Sequence, residues 1–220
     1  MTGTVGGTVH TTRTAHTADL TAPELAAVRE LLTHAFDGEH GEHGEHGAHS
    51  AHSAHSEHGA HSAYSDEDWD HTLGGVHVLL WEPGPGGEAA LIAHAAVVQR
   101  RFLHRGRALR TGYVEGVAVR PDRQRRGYGG RVMAEAERYV RGGYDLGALS
   151  AADGAARLYA ARGWQPWRGR TYVLAPDGLR RTAEEDDGVY VLPVPAPVPD
   201  APPLDLDGDL VCDWRDGDVW

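Results

Sequence analysis

The 220-residue chain contains no lysine, one cysteine and only two phenylalanines and two methionines. No apolar run approaches the roughly 20 residues needed to span a bilayer. Without lysine the phosphate-binding signature Gly-x-x-x-x-Gly-Lys-Ser/Thr is absent. The lone Cys212 can close no internal disulfide and supplies no Cys/His metal spacing, which fits a reducing compartment. The opening MTGTVGGTVHTTRTAH has no apolar segment behind basic residues, so a soluble, cytoplasmic protein is expected. A net charge of −11 disfavours nucleic acid and anionic membrane as partners and favours cationic small molecules. The acid is uneven: residues 176–220 hold twelve Asp/Glu against three Arg, whereas residues 100–141 are rich in Arg. Two oppositely charged substrates would suit that division, although a mildly acidic soluble protein is the plainer account.

The length allows one domain, 1–220, with a full core. Residues 9–20 read as a short strand running into an Asp-initiated turn. Pro23 to Phe36 reads as a helix with Pro in its first turn and an apolar stripe of Leu25, Val28, Leu31, Leu32 and Ala35. Residues 38–62 repeat His at every third position from His40 to His61, with Gly, Ser, Ala and Glu between. Such an insert buries too little to offset the entropy of ordering it. Eight imidazoles could bind a divalent metal, but the pattern matches no catalytic zinc motif, so a flexible spacer is expected and no metal is required. Ser65 with Asp68 predicts a capping box for a short helix carrying Trp69 and Leu73.

Val76–Trp81, Ala89–Leu103 and Ala108–Val119 read as an antiparallel meander. A helix from about Gly127 to Arg141, a strand Tyr144–Ser150, a helix Gly154–Arg162 and strands near Trp167–Leu174 and Gly188–Leu192 follow. The order is mixed α+β. His71, His77, His94 and His104 fall inside these elements and read as structural. Six of the eleven residues 193–203 are proline, predicting an extended strap that carries the tail, 204–220, to a distant surface.

The strongest signal is YVEGVAVRPDRQRRGYGGRVM. Gln124-x-x-Gly127-x-Gly129 lies between a β-rich run and an amphipathic helix with an apolar stripe of Val132, Met133, Ala136 and Val140. Glycines let the backbone approach a ligand, and helix-start amides with the helix dipole favour a pyrophosphate. Arg123, Arg125, Arg126 and Arg131 add positive charge.

This strand, turn and helix resemble the acetyl-CoA motif of the GNAT N-acetyltransferase superfamily. The resemblance implies a mixed, mostly antiparallel, splayed sheet with flanking helices. It also implies a bulged strand whose Val117, Ala118 and Val119 line the pantetheine arm of acetyl-CoA, with Gln124, Arg125, Arg126, Gly127, Tyr128 and Gly129 holding the pyrophosphate. The segments DWDHTLGGVH, LIAHAAVVQRR, GYVEGVAVR, YDLGALS, AARLYAARGWQPW and CDWRDGDVW are together similar to the aminoglycoside 2′-N-acetyltransferases. That likeness reaches both ends of the chain and implies an antibiotic-resistance enzyme, acting as a homodimer on a cationic aminoglycoside. Another amine, such as a cell-wall aminosugar or a polyamine, is the alternative acceptor. A non-catalytic His-rich metal-binding module is the alternative of a different class.

Acetyl transfer needs a neutral amine, a place for the developing oxyanion and a proton for the departing thiolate. Glu115, beside Gly116 on the bulged strand, faces the acceptor as base or as binding group. The amides near Val117 are expected to polarise the thioester, and Tyr159 matches the superfamily tyrosine near the sulfur, which makes it the expected general acid, with a buried structural tyrosine as the alternative. With no cysteine nucleophile, direct transfer in a ternary complex is expected. The resemblance places the acceptor ammonium groups against Asp37 or Glu39, Ser150, Glu184 and Glu185 within the run 184–187, Asp218 and the carboxylate of Trp220.

Overall fold

The computed structural model describes residues 2–5, 8–38, 64–84, 86–151, 155–195 and 204–220. Within them the chain packs as two compact units, the first of residues up to 38, 64–98 and 114–137, the second of 99–113 and 138–220. The histidine repeat from residue 39 and the strap over 196–203 lie outside the described residues.

The first unit opens with strands β1 (Thr2–Val5) and β2 (Thr8–His16), paired antiparallel. Strand β2 and the turn after it match the strand and turn expected over 9–20, whereas β1 was not expected. His16 caps a 3-10 turn over Thr17–Asp19 by accepting a hydrogen bond from the Ala18 amide. Helix α1 (Ala22–Gly38) buries Val28, Leu31, Leu32 and Ala35, with Leu25 packed partly against them, as the 3-4 stripe predicts. Helix α2 (Asp66–Thr72) starts in the predicted capping box: Ser65 Oγ accepts from the Asp68 amide at 3.1 Å, and the Ser65 amide donates to Asp68 Oδ2 at 2.9 Å. Strand β3 (Val76–Pro83) pairs antiparallel with β2 and with β4 (Ala89–His104). Leu91 to Val98 are buried without a break, the pattern of a strand covered on both faces. From Gln99 onward exposed and buried residues alternate.

The chain then runs through β5 (Arg107–Val119), a 3-10 turn over Pro121–Arg123 and helix α3 (Tyr128–Gly143). It passes between the units inside β4, β5 and α3. In the second unit β6 (Leu146–Ser150) lies parallel to the start of β5, with Gly112 opposite Gly147; the connection between them is α3. Helix α4 (Ala156–Ala160) is short, and β7 (Gln165–Pro166) borders β10 (Val189–Pro193), which pairs antiparallel with β6. Strands β8 (Thr171–Ala175) and β9 (Gly178–Arg181) form a hairpin. Strand β11 (Leu210–Asp213) is parallel to β8.

The pairings are mostly antiparallel with parallel ones at β5–β6 and β8–β11, the mixed α+β sheet expected. Strands β9 and β11 were not among the expected elements. The tail is built into the second unit: Arg100 Nε donates to Asp213 Oδ1 at 2.8 Å, and Trp220 is buried edge-on against Phe102.

The capping box yields a stability test. Ser65→Ala removes the acceptor for the Asp68 amide and should cost about 1 kcal/mol. Urea denaturation should show a lowered midpoint with an unchanged slope.

Candidate active site

Strand β5 loses its alternation where chemistry is expected. Val114 and Ala118 are buried, while Glu115, Gly116 and Val117 are half-buried in succession. The cause is Gly116, at φ +55° in the left-handed region. A Cβ there would lie 2.9 Å from Thr72 Cγ2 and 3.2 Å from a Leu32 methyl, so no side chain fits. The Gly116 carbonyl accepts a 2.8 Å hydrogen bond from Nδ1 of the fully buried His94. Glu115 shares its surroundings with Tyr64, whose phenol burial pushes up to about 12, the charges of Asp68 and Glu115 adding to the effect. The Tyr64 ring stacks on Phe36 at 5.6 Å, and its hydroxyl lies 3.1 Å from Thr72 Oγ1.

The glycine turn follows directly. Arg120 N–H donates to the Ile92 carbonyl at 2.9 Å, anchoring the turn to β4. Arg125 (φ +58°) and Gly127 (φ +83°) are both left-handed. The first bond of α3 runs from the Arg131 amide to the Gly127 carbonyl at 3.1 Å, so the amides of Tyr128, Gly129 and Gly130 precede the helical ladder. Left-handed residues feeding a 16-residue helix make a backbone cradle that fits a pyrophosphate. Gln124, Arg125 and Arg126 are exposed around it.

Two expectations change here. Arg123, expected to add charge for phosphate, is instead engaged by Glu82 at 2.8 Å and Asp122 at 2.6 Å, and Arg120 joins both carboxylates. These bonds hold the turn in shape. The hydrogen bond from Arg123, outweighing burial, keeps the Glu82 carboxyl below the usual carboxylate range. Tyr128 is buried with its hydroxyl 3.0 Å from His10 Nε2, so only its backbone faces the cradle.

The second unit gathers the other candidates. Ser150 ends β6 and hydrogen-bonds Glu185, which is buried and pushed up to about 7 by desolvation and the charges of Asp218 and Glu184. Asp218 Oδ1 accepts from the Trp220 amide at 3.0 Å, Arg215 Nε donates to the Asp218 carbonyl at 2.6 Å, and Trp220 Nε1 donates to Thr182 Oγ1 at 2.9 Å. Asp186, by contrast, is bound to the Thr171 amide, the Thr171 hydroxyl and Arg181. Glu184 is exposed. The run 184–187 thus divides by residue: Asp186 braces the β8–β9 hairpin, and Glu185 turns toward Ser150. Tyr159 is buried on α4 against Trp164 and Tyr190, its phenol pushed up to about 12 by burial. Cys212 is also buried, its thiol pushed up to about 12, and it donates to the Val219 carbonyl. That is no nucleophile.

Glu115, Gly116, Val117, Ala118, Val119 and the turn Gln124–Gly129 thus share the first unit, and Ser150, Tyr159, Glu184, Glu185, Asp218 and Trp220 the second. Asp37 lies in the last turn of α1, and Glu39 falls outside the described residues. Sequence reading missed Tyr64, Glu82 and the pairing of His77 with His94. The signal for the pair was present: one histidine interrupts each of the apolar runs VHVLLW and LIAHAAVV.

The fold and this strand, turn and helix place the chain among the GNAT acetyltransferases: the acetyltransferase (GNAT) domain family matches residues 17–167, and the chain belongs to it. It is 45% identical over 215 residues, 98% of this chain and 94% of the relative, to the aminoglycoside 2′-N-acetyltransferase of Mycolicibacterium fortuitum. In fold it is similar to a GNAT family N-acetyltransferase of Escherichia coli solved in complex with CoA, at TM-score 0.54 and 12% identity over 98% of this chain and 94% of that one.

Glu82→Gln should destabilise the protein by about 1–3 kcal/mol at neutral pH, because two arginines lose their charged acceptor. The folded Glu82 pKa is depressed, so its contribution is present above the unfolded carboxyl value and disappears as pH falls through the lower, folded one. Thermal melts should therefore separate wild type from Glu82→Gln at pH 7 and bring them together in strong acid.

Proposed function

We propose that the protein transfers the acetyl group of acetyl-CoA to the 2′-amino group of aminoglycosides, by direct attack within a ternary complex, as an antibiotic-resistance enzyme. The observation that carries this reading is the Glu115–Gly116 bulge running into the Gln124–Gly129 cradle, in a chain that matches an enzyme of that activity along almost its whole length.

In this reading the cradle amides and exposed Arg125 and Arg126 hold the pyrophosphate, while Val117, Ala118 and Val119 line the pantetheine arm. Glu115 takes a proton from the 2′-ammonium, directly or through a water. The nitrogen then forms its bond to the acyl carbon as the carbon–sulfur bond breaks, the Tyr159 phenol protonates the departing sulfur, and the second proton shed by the nitrogen passes through water to restore the phenol. A phenol near 12 set against an ordinary thiol near 8.5 would face an uphill transfer of about 3.5 pKa units, roughly 5 kcal/mol. Burial of Tyr159 accordingly suits a donor that releases its proton only as charge reaches the sulfur.

Further ammonium groups are met by the carboxylates of Glu184, Glu185, Asp218 and Trp220, with Ser150 beside Glu185, and the likeness to the aminoglycoside 2′-N-acetyltransferases adds Asp37 or Glu39. Glu185 near pH 7 is half ionised when free and is drawn to its charged form by a bound cation. The working assembly is a cytoplasmic homodimer. Exposed Leu174 and Leu179, opposite each other on β8 and β9, offer apolar surface for it.

Incubation with acetyl-CoA and a panel of 2′-amino and 2′-hydroxy aminoglycosides, with free thiol followed and the acetylated nitrogen located by NMR, tests the assignment. Release of thiol with 2′-amino compounds only is expected, and no turnover on any of them overturns it. Tyr159→Phe should lower kcat by about 100-fold with little change in the KM for acetyl-CoA. Aminoglycoside affinity should rise with pH through about 7 as Glu185 ionises, and Glu185→Gln should flatten that part of the calorimetric profile.

A further inference from the structure

Two buried imidazoles lie in series beneath the bulge, outside the residues assigned above. His94 Nδ1 is 2.8 Å from the Gly116 carbonyl oxygen, His77 Nδ1 is 2.9 Å from His94 Nε2, and Thr17 Oγ1 is 2.8 Å from His77 Nε2. The polarity of this chain follows from its last link. A carbonyl oxygen only accepts, so His94 Nδ1 must carry a proton. His94 is fully buried, with the second imidazole against it, and desolvation lowers its pKa to about 3; it is neutral and its Nε2 is an acceptor. His77, lowered to about 4 by burial and the nearby His16, must then donate from Nδ1 and accept at Nε2 from the Thr17 hydroxyl. Thr17 Oγ1 in turn accepts from the Gly74 amide at 2.9 Å, and the Thr17 amide donates to the Gly75 carbonyl at 2.9 Å. The Thr17 hydroxyl also lies 3.3 Å from the Gly75 carbonyl, but its 2.8 Å contact with His77 Nε2 is the shorter, and the series runs in one direction from the 3-10 turn to Gly116.

A chain that ends on a carbonyl cannot pass a proton onward, so proton conduction is not its use. Packing alone would be served as well by leucine, which would leave the Gly116 oxygen without its donor. What the series does fix is the orientation of one peptide plane. In a trans peptide the amide hydrogen lies on the opposite edge from the carbonyl oxygen. With the Gly116 oxygen held toward His94, the Val117 N–H must point the other way. Gly116 alone would not hold that plane, because glycine is the residue with the freest backbone.

We propose that His94, oriented by His77 and Thr17, is a positioning residue that holds the Gly116–Val117 peptide so that the Val117 amide is aimed at the acyl carbonyl oxygen. This rests on acetyl transfer taking place at the β5 bulge. An amide aimed in advance stabilises the developing oxyanion without reorganising during the reaction. The bulge glycine supplies the turn, and the histidines remove its freedom.

The test compares His94→Leu with His94→Asn, whose side-chain amide places a donor where Nδ1 stood. His94→Leu should lower kcat by about 10- to 100-fold. Its KM for acetyl-CoA and its calorimetric Kd for desacetyl CoA should stay within about threefold, since the cradle is untouched. His94→Asn should recover most of kcat. Equal losses in the two variants, or a wild-type kcat in His94→Leu, overturn the proposal. A readout independent of turnover is 15N NMR of the imidazoles in the free protein. Both rings should be neutral with the proton on Nδ1, and a proton on Nε2 of His94 overturns the proposal. If His94→Leu does not fold, His77→Phe serves, because it removes the donor that fixes the His94 tautomer. A partial loss of kcat with the His94 proton redistributed supports the proposal, and an unchanged kcat with a redistributed proton overturns it. A wild-type protein that acetylates no amine refutes the acetyl-transfer reading instead, with the Nδ1 tautomers intact.

Discussion

The half-buried Gly116 carbonyl of β5 takes its hydrogen bond from a side chain, the fully buried His94. The left-handed turn at Gly116 interrupts the alternation of β5, leaving Glu115, Gly116 and Val117 half-buried in succession. Thr72 and Leu32 close over Gly116 so tightly that only glycine fits, while His94, backed by His77 and Thr17, takes its oxygen. Helix packing on one side and an imidazole series on the other fix a segment that would otherwise be the loosest part of the sheet. Catalytic backbone has to be held this firmly, because an amide that reorients during the reaction loses much of its electrostatic advantage.

The same division of labour governs the cradle. Positive charge is abundant in DRQRRGYGGR, but the structure spends part of it internally. Arg120 and Arg123 close onto Glu82 and Asp122, and Tyr128 reaches His10, leaving Gln124, Arg125 and Arg126 outward. An ion-paired turn keeps its amides in place while the unpaired residues remain free to meet an anion. Function and support are interleaved residue by residue in one short stretch.

In the second unit the acids divide in a similar way. Asp186 and Asp213 are taken up by Thr171 and Arg181 and by Arg100, so they brace the hairpin and the last strand. Glu185 is left buried beside Ser150 with Asp218 near it, its carboxyl pushed up to about 7 by desolvation and the neighbouring charges. The adjacent carboxylates Glu185 and Asp186 therefore do unlike work, because desolvation and neighbouring charge, not residue type, set the protonation state.

Local pattern was enough to read much of this chain. The stripe of α1, the Ser65–Asp68 capping box, the meander of β3 to β5, and the glycine turn before α3 all depend on neighbours within a few positions, so periodicity and residue type alone determined them. Glu115 and Tyr159 were singled out as candidates only through the likeness of their segments to the GNAT acetyltransferases. Tertiary structure decided what depends on distant partners. Strand β11 exists because residues 210–213 find β8, and Trp220 is buried because its indole finds Thr182. Arg123 is tied down by a glutamate 41 positions away, and His94 is given its proton arrangement by His77, 17 positions away, and by Gly116, 22 positions away. A histidine in an apolar run announces that it must be satisfied. Only the fold supplies the partner, and with it the direction of every hydrogen bond in the series.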